Sequence, residues 1–427
     1  MNQDRKKVFS NIVWLIFDKF ILIVLNLVVV VKVANFYGAS EYGLYQYALT
    51  ILVMLELILY LVDERIVKKY FNCYDAEQLV FNVTIIRVFL SGIVIFCGCV
   101  YSYFFIDTSK FFWVFFVVLL SSVVTSLNFG MAKRFEFLLQ SKRVVIAAEL
   151  GNFFSIILQL VAVYLEFSII FISFSYLVSV LLMLIILRIQ YVKQFGRKVG
   201  HKSQMFDKSL IIKIFSESLP FSITQIMSVL YLKCDSIMIG MILSSAEVGI
   251  YSISLKFINV IESLILPVQT TIYIKMIEWY KENREIYERY YIKITSVMTW
   301  ICISLIIFSN VVLPYIFTFF NEEYLAAMDV FKIHVWGGLF VYNGLLATNH
   351  MAITNNGYLL MYPKIATALC NVILNLIFIP QYGIVGAAVA TVISQLCSYM
   401  ICNLFFEEGR KVLKWQIQAL NPINIIR

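Results

Sequence analysis

Eight ionisable residues lie well inside long apolar segments of this sequence, and they are the groups best placed to do chemistry. A charged side chain at the centre of a membrane span costs about 2.5 to 3.5 kcal/mol on insertion scales, so it must face protein or water instead of lipid. Five of them are predicted to lie deep in their spans: Glu56, Arg87, Lys233, Asp235 and Glu262. The other three are predicted to lie at intermediate depth: Asp18, Lys19 and Lys256.

The cations in this set suit an anionic ligand. Arg87, Lys233 and Lys256 are predicted to bind a group such as a diphosphate, because Arg holds phosphate oxygens with two hydrogen bonds and Lys acts as a point charge. Three further members of the set are expected to line the same polar cavity: Asp18, Lys19 and Asp235.

The two deep glutamates, Glu56 and Glu262, are candidates to bind a coupling ion, H⁺ or Na⁺. One elementary charge that crosses 100 mV gains about 2.3 kcal/mol, which is enough to bias a conformational cycle. Internal pairing is the alternative, because three acid–base pairs lie at similar depth: Glu56 with Arg87, Lys233 with Glu262, and Asp235 with Lys256. Both interpretations stay open at this point, since paired groups can still line a cavity.

The segments that position these residues are membrane spans. Hydrophobic residues are 61% of the 427 residues and charged residues only 14%, where a soluble domain has about 25% charged residues. A span needs roughly 20 apolar residues, and twelve segments predict an all-α polytopic membrane protein. They are residues 11–33, 44–62, 80–101, 111–131, 146–165, 168–187, 215–242, 252–274, 294–314, 330–348, 362–380 and 384–405.

The distribution of Lys and Arg orients these spans. Of the 34 basic residues, 27 lie in alternate connections and in the two tails, and the other connections contain only Lys110. Because basic connections stay in the cytoplasm, both termini and the segment 188–213 are predicted to be cytoplasmic. The net charge of +8 is thus a topology signal that also favours contact with the phospholipid bilayer, and nucleic acid is not needed to explain it.

Two octets, residues 38–45 and 244–251, indicate an internal duplication. They match at Glu, Gly and Tyr with an offset of 206 residues, and the same offset relates the two deep glutamates. The basic segment divides six spans from six, which predicts an N-terminal six-helix bundle (1–187), a linker (188–213) and a C-terminal six-helix bundle (214–427). Two such halves have the same orientation in the membrane, and transporters built from parallel repeats bind substrate between them.

The sequence lacks common catalytic motifs of soluble enzymes. It lacks the G-x-x-x-x-G-K-[ST] loop of nucleotide-driven pumps, the G-x-S-x-G turn of hydrolases and the H-E-x-x-H pair of zinc proteases. Its eight cysteines show neither C-x-x-C nor Cys/His spacing, so no zinc site or disulfide framework is predicted. Active transport by this chain would run on an ion gradient or on the substrate's own gradient, and no cofactor is expected.

Three blocks of sequence are distinctive. The first contains Phe-Asp-Lys-Phe (17–20) and Glu-Tyr-Gly-Leu-Tyr (41–45), and the second begins Lys-x-Asp-x-Ile-Met-Ile-Gly (233–240). The third contains Asn-Val-Ile-Leu-Asn-Leu (371–376) and Ile-Pro-Gln-Tyr-Gly-Ile-Val-Gly-Ala-Ala (379–388), and it continues to Ala-Thr (390–391). In these blocks, and over essentially its whole length, the chain resembles the O-antigen flippase (Wzx-type) and polysaccharide-exporter family, most specifically in the third.

The resemblance implies a fold and a substrate. The fold is that of the multidrug/oligosaccharidyl-lipid/polysaccharide (MOP) exporter superfamily: twelve transmembrane helices as two six-helix bundles in a V, with spans 1, 2, 7 and 8 lining the cavity. The substrate is an undecaprenyl-diphosphate-linked oligosaccharide, turned across the bacterial cytoplasmic membrane beside the polysaccharide polymerase and chain-length machinery. Two alternatives are a cation-coupled multidrug exporter on the same fold and, from another class, a membrane-embedded glycosyltransferase or polymerase.

Overall fold

The structure, a computed structural model, describes residues 2–106, 108–196, 206–263, 266–354 and 361–425. Within these ranges it does not describe the side chains of residues 2–25, 224, 263, 266–271, 274 and 361. The chain divides into two compact units: the N-terminal unit, Lys32–Lys233, and the C-terminal unit, Cys234–Arg427 with Met1–Val31. The bundle and linker boundaries derived from the sequence remain a prediction.

The described part of the chain is helical and contains no β-strand. The described residues form fourteen α-helices. They also form one π-helical turn and several short 3₁₀ turns, among them Glu56–Leu61 and Pro422–Ile425. In chain order the α-helices are α1 Asn2–Leu55, α2 Glu64–Tyr70, α3 Ala76–Phe105, α4 Ser109–Phe137, α5 Ser141–Tyr164, α6 Ile169–Phe195, α7 Lys208–Ile242, α8 Ser245–Ser263, α9 Leu266–Glu282, α10 Arg284–Phe317, α11 Ala326–His334, α12 Gly337–Ile353, α13 Met361–Leu396 and α14 Glu407–Ala419.

Each predicted span overlaps at least one described helix, and the predicted span 252–274 is divided between α8 and α9. Eight described helices are long and apolar enough to cross a membrane, and a ninth span results if the bent pair Glu322–His334 and Gly337–Ile353 is counted as one. Two of the eight, Asn26–Tyr70 and Tyr362–Phe405, are 45 and 44 residues long. The second contains two predicted spans, and the first contains the predicted span 44–62 and the end of the predicted span 11–33. A single straight helix of that length would far exceed the roughly 20 residues of one crossing. The chain is therefore a multi-pass membrane protein.

Glycines break the two longest helices. Gly38 in α1 has φ 69° and ψ 169°, and Gly383 in α13 has φ 60° and ψ −143°. Both fall in or next to a region of backbone conformation that only glycine occupies readily, so a side chain at either position would strain the turn. One residue thus joins two helical segments in each case, where the sequence predicted a connection of several residues.

The two octets occupy equivalent places in the order of helices. Residues 38–45 follow the break in α1, and residues 244–251 begin as α7 ends and form the first turns of α8. Glu41 and Glu247 are half-buried, and Tyr45 and Tyr251 are buried. Glu41 also forms an ion pair with Lys110. Lys110 is the basic residue in the connections predicted to lie outside the cytoplasm.

Charged side chains cross-link the predicted cytoplasmic end of the N-terminal unit. Lys68 of α2 pairs with Glu136 of α4 at 2.7 Å, and Lys133 pairs with both Glu136, at 2.9 Å, and Glu64. Arg134 pairs with Glu77 of α3 nearby. These pairs join α2, α3 and α4, so basic residues that orient the chain in the membrane also stabilise the bundle.

The start of α7 belongs to the N-terminal unit. The Asp207 carboxylate accepts hydrogen bonds from the Ser209 hydroxyl (2.7 Å) and from the backbone N–H of Leu210 (3.0 Å), which caps the helix. These bonds hold the pKa of Asp207 below its ordinary value. Farther along α7, the Ser222 hydroxyl donates to the Tyr60 carbonyl at 2.6 Å. The helix begins seven residues before the predicted span, inside the predicted linker.

Candidate substrate and coupling sites

Arg87 and Glu56 lie together inside the N-terminal unit. Glu56 is the first residue of the 3₁₀ turn that follows α1, and Arg87 is on α3. Arg87 is 8% exposed, and its Nη1 donates a 3.0 Å hydrogen bond to the carbonyl oxygen of Leu59 in that turn. Its guanidinium lies 3.8 Å from the ring centroid of Phe129 on α4, a cation–π contact that partly replaces lost hydration.

The Glu56 carboxylate interacts with Arg87 electrostatically and faces the Thr125 hydroxyl. Neither residue takes part in an ion pair of salt-bridge distance with a described side chain. Oε1 of Glu56 and Nε of Arg87 are both buried without a hydrogen-bond partner. Buried polar atoms without partners are costly, so this centre has unused capacity to bind a proton, an ion or a ligand group.

Lys256 and Glu262 lie on α8 in the C-terminal unit, and both are half-buried. Neither side chain makes a hydrogen bond or an ion pair with the described residues. Glu262 lies within electrostatic range of Tyr342 and Tyr399, and the Tyr342 hydroxyl instead donates to the Ile261 carbonyl at 3.0 Å. The C-terminal unit thus contains an acid and a base in apolar surroundings that do not neutralise each other.

Asp235 is the centre of a polar network in the same unit. It is 6% exposed and accepts hydrogen bonds from the Tyr251 hydroxyl of α8 (2.9 Å), from Asn375 Nδ2 of α13 (2.7 Å) and from the Thr391 hydroxyl beyond the Gly383 break. Pairing of Asp235 with Lys256, which similar depth had suggested, does not occur.

Two neighbours extend this network. Asn371 accepts a 3.1 Å hydrogen bond from Asn375. The His334 ring stacks on Tyr251 with centroids 6.4 Å apart, and its Nδ1 is buried without a partner. Residues 371–391 carry the family resemblance, but the sequence analysis did not predict that they form part of a site. The pair of asparagines, Asn371 and Asn375, could have indicated it, because residues four apart in an apolar helix share one face.

The remaining predicted site residues are placed as follows. Lys233 is half-buried on α7 at the end of the N-terminal unit. Asp18 and Lys19 fall on α1 outside the residues whose side chains the structure describes. No group of three or more His, Cys, Asp or Glu side chains suited to a metal ion occurs among the described residues.

A family model described as "Polysaccharide biosynthesis protein" matches residues 8–274, more than half of the chain. The chain belongs to this family. A curated relative, an uncharacterized membrane protein of Methanocaldococcus jannaschii, is 25% identical over 232 residues, which is 52% of this chain and 44% of that protein. The chain thus matches less than half the length of this relative.

Solved structures show the same fold. An inward-facing multidrug resistance MATE family transporter of the MOP superfamily has a TM-score of 0.71 at 14% identity, covering 93% of this chain and 96% of that one. The lipid II flippase MurJ gives 0.66 at 16% identity, covering 94% and 89%. A MOP superfamily transporter from Pyrococcus furiosus gives 0.59 at 15% identity, covering 97% and 96%. The resemblance to polysaccharide exporters and the MOP fold are therefore confirmed, while identities this low show the fold alone.

Proposed function

We propose that this protein is a flippase that moves an undecaprenyl-diphosphate-linked oligosaccharide across the bacterial cytoplasmic membrane by alternating access. Its family is one of polysaccharide biosynthesis, and a lipid II flippase shares its fold. The substrate would present its diphosphate to the basic residues of the predicted cavity. Polymerase and chain-length proteins would receive the translocated unit.

The observation that best supports this proposal is Lys256. Its side chain lies in a predicted span, is half-buried and pairs with no described residue. An unpaired cation in a span is expensive unless water or an anionic ligand reaches it. A diphosphate would supply that counter-charge, and Arg87 and Lys233 are the further cations that we assign to it.

Glu56 and Glu262 are the residues that we propose for the coupling ion. They are related by the 206-residue offset and both are half-buried. Oε1 of Glu56 is buried without a hydrogen-bond partner, and the Glu262 side chain makes no hydrogen bond with the described residues. Asp235 differs because three donors already surround its carboxylate. We therefore assign Asp235 to the C-terminal polar network, where it would bind an ion only if those donors rearranged, and not to the diphosphate.

A multidrug exporter is the second candidate, because an inward-facing MATE transporter matches this chain with a TM-score of 0.71 and the lipid II flippase with 0.66. The charges argue against it, since cationic drugs favour an acidic cavity and four of the eight deep or intermediate groups are basic. For the transporter from Pyrococcus furiosus, reversed polarity of the binding pocket is reported to suggest a different function. Polarity of the cavity is therefore a reasonable discriminator on this fold.

The test is surface polysaccharide in a strain deleted for the gene, complemented with wild type, Lys256→Ala, Lys256→Arg or Lys332→Ala. Lys332 is the matched control, because it is exposed and pairs with Asp329 at 3.1 Å. Loss of a charge-assisted contact is worth about 1.5 to 3 kcal/mol, so we expect Lys256→Ala to reduce export roughly ten- to hundredfold. Lys256→Arg should retain most export, and Lys332→Ala should behave as wild type.

Deletion should also cause lipid-linked oligosaccharide to accumulate in the inner leaflet. Normal surface polymer in the deletion strain, together with increased sensitivity to cationic drugs, would overturn the flippase proposal in favour of the exporter. The ion is tested separately with Glu56→Gln and Glu262→Gln, which should leave substrate binding intact and remove the dependence of export on the ion gradient.

A further inference from the structure

Helix α14 follows the last predicted span and packs on α10 by one of its faces. Val412, Trp415 and Ala419 on this face are buried. Trp415 donates a 2.6 Å hydrogen bond from Nε1 to Glu288, and its ring lies 4.8 Å from that of Tyr291. These contacts fix the orientation of α14 within the C-terminal unit.

The opposite face of α14 combines positive charge with apolar side chains. Arg410 and Lys414 are exposed and one turn apart, and neither makes an ion pair or hydrogen bond with the described residues. Leu413 and Ile417 have the same spacing on the same side, and Ile417 is 56% exposed. By contrast, Lys411 pairs with Glu408 at 2.7 Å.

These side chains line a groove. Its volume is about 270 Å³, and Leu404, Gln418 and the four residues just described surround it. The same C-terminal segment borders a second and larger groove of about 480 Å³, where Ile425 faces Trp300 and Phe308 of α10. That second groove is lined almost entirely by apolar side chains.

We propose that this face of α14 binds an anionic phospholipid of the adjoining leaflet. Arg and Lys hold phosphate oxygens, and leucine and isoleucine beside them suit the first methylenes of an acyl chain, as on amphipathic helices at a membrane interface. The positive-inside pattern places α14 on the cytoplasmic side, where anionic lipids attract basic segments. The site would bind this lipid whatever substrate the protein moves.

The test compares lipid retention by the purified full-length protein in detergent, using native mass spectrometry. Dioleoyl phosphatidylglycerol is the probe and dioleoyl phosphatidylcholine the neutral reference. Each basic residue near an anionic lipid surface contributes roughly a fivefold gain in affinity, so Arg410→Gln with Lys414→Gln should weaken phosphatidylglycerol binding about thirtyfold. The control pair Lys142→Gln with Lys193→Gln removes the same charge from exposed positions on the same predicted side and should leave binding unchanged.

Two further double variants distinguish the causes of a change in lipid binding. Arg410→Lys with Lys414→Arg preserves charge and should preserve binding, which excludes misfolding as the cause of a loss. Leu413→Ser with Ile417→Ser should weaken binding of the lipid but not of inorganic phosphate. Equal retention of both lipids, full competition by inorganic phosphate, or a change of oligomeric state in the double Gln variant would each overturn the proposal.

Discussion

Asn375 donates a 2.7 Å hydrogen bond to the carboxylate of Asp235, which is 140 residues away in the sequence. The bond joins α13 to α7, and the Thr391 hydroxyl adds a second bond from beyond the break at Gly383. A buried carboxylate is stable only when such donors replace water. Asp235 therefore links residues 371–391 of α13 to α7 by hydrogen bonds.

Removal of one donor to Asp235 should destabilise the protein. We expect Asn375→Ala or Thr391→Val to lower the free energy of unfolding by about 1 to 3 kcal/mol, because each leaves part of a buried carboxylate without a partner. Thermal unfolding in detergent measures this effect. Thr391→Ser keeps the hydroxyl and should unfold close to wild type; equal destabilisation by Val and Ser would show that the hydrogen bond is not the cause.

Arg87 and Glu56 should be energetically coupled. Arg87→Met leaves the half-buried Glu56 without a nearby opposite charge, so we expect it to lower the free energy of unfolding by about 1 to 3 kcal/mol. The double variant with Glu56→Gln should recover part of this loss, giving a coupling energy of about 0.5 to 3 kcal/mol in a double-mutant cycle. The comparison cycle is Lys69→Met with Glu217→Gln, whose exposed pair at 3.0 Å should couple by less than about 1 kcal/mol. Independent effects of Arg87 and Glu56 would contradict the prediction.

The glycine breaks should not tolerate a methyl group. Gly38→Ala and Gly383→Ala should each cost about 1 to 3 kcal/mol, because the backbone at both positions is accessible mainly to glycine. Gly92 within α3 is the control, since an added Cβ there meets no atom within 4 Å. Gly92→Ala should be neutral or stabilising by up to about 1 kcal/mol. Scanning calorimetry of the three variants would distinguish these outcomes.

The orientation of the chain can be tested with single cysteines. Cys73 is exposed in the connection between α2 and α3, and the positive-inside pattern places it in the cytoplasm. In a variant that retains only Cys73, a membrane-impermeant maleimide should label inverted vesicles and not intact cells. A cysteine-free background with Lys110→Cys should give the opposite result, and the same labelling for both positions would refute the topology.

The sequence predicts the helices well because the length of an apolar run depends on the bilayer and not on distant residues. The single-residue turn at Gly38 was not predicted, because composition gives the length of an apolar segment but not the dihedral angles between two. The start of α7 at Lys208 was missed for a related reason: charged residues that continue a helix into the cytoplasm resemble a loop in hydropathy.

The candidate site could be predicted only in part. Charges inside apolar segments identified Glu56, Arg87, Asp235, Lys256 and Glu262 as unusual, since each is costly in lipid. Similar depth suggested three acid–base pairs; Glu56 and Arg87 interact electrostatically without an ion pair of salt-bridge distance, and Asp235 does not pair with Lys256. The actual partners of Asp235 are neutral Asn, Thr and Tyr side chains from distant parts of the chain. Such residues differ little from their neighbours in hydropathy, so only the tertiary structure reveals them.

We expect the break at Gly38 to matter also while the chain is being inserted into the membrane. The first predicted span contains Asp18 and Lys19, which partition poorly into lipid while a nascent chain leaves the translocon. A second apolar segment that follows without a loop can enter the bilayer together with the first, as one helical hairpin. A substitution that straightens this turn would therefore act during biosynthesis, where quality-control proteases remove chains that fail to insert before any transport defect is measured.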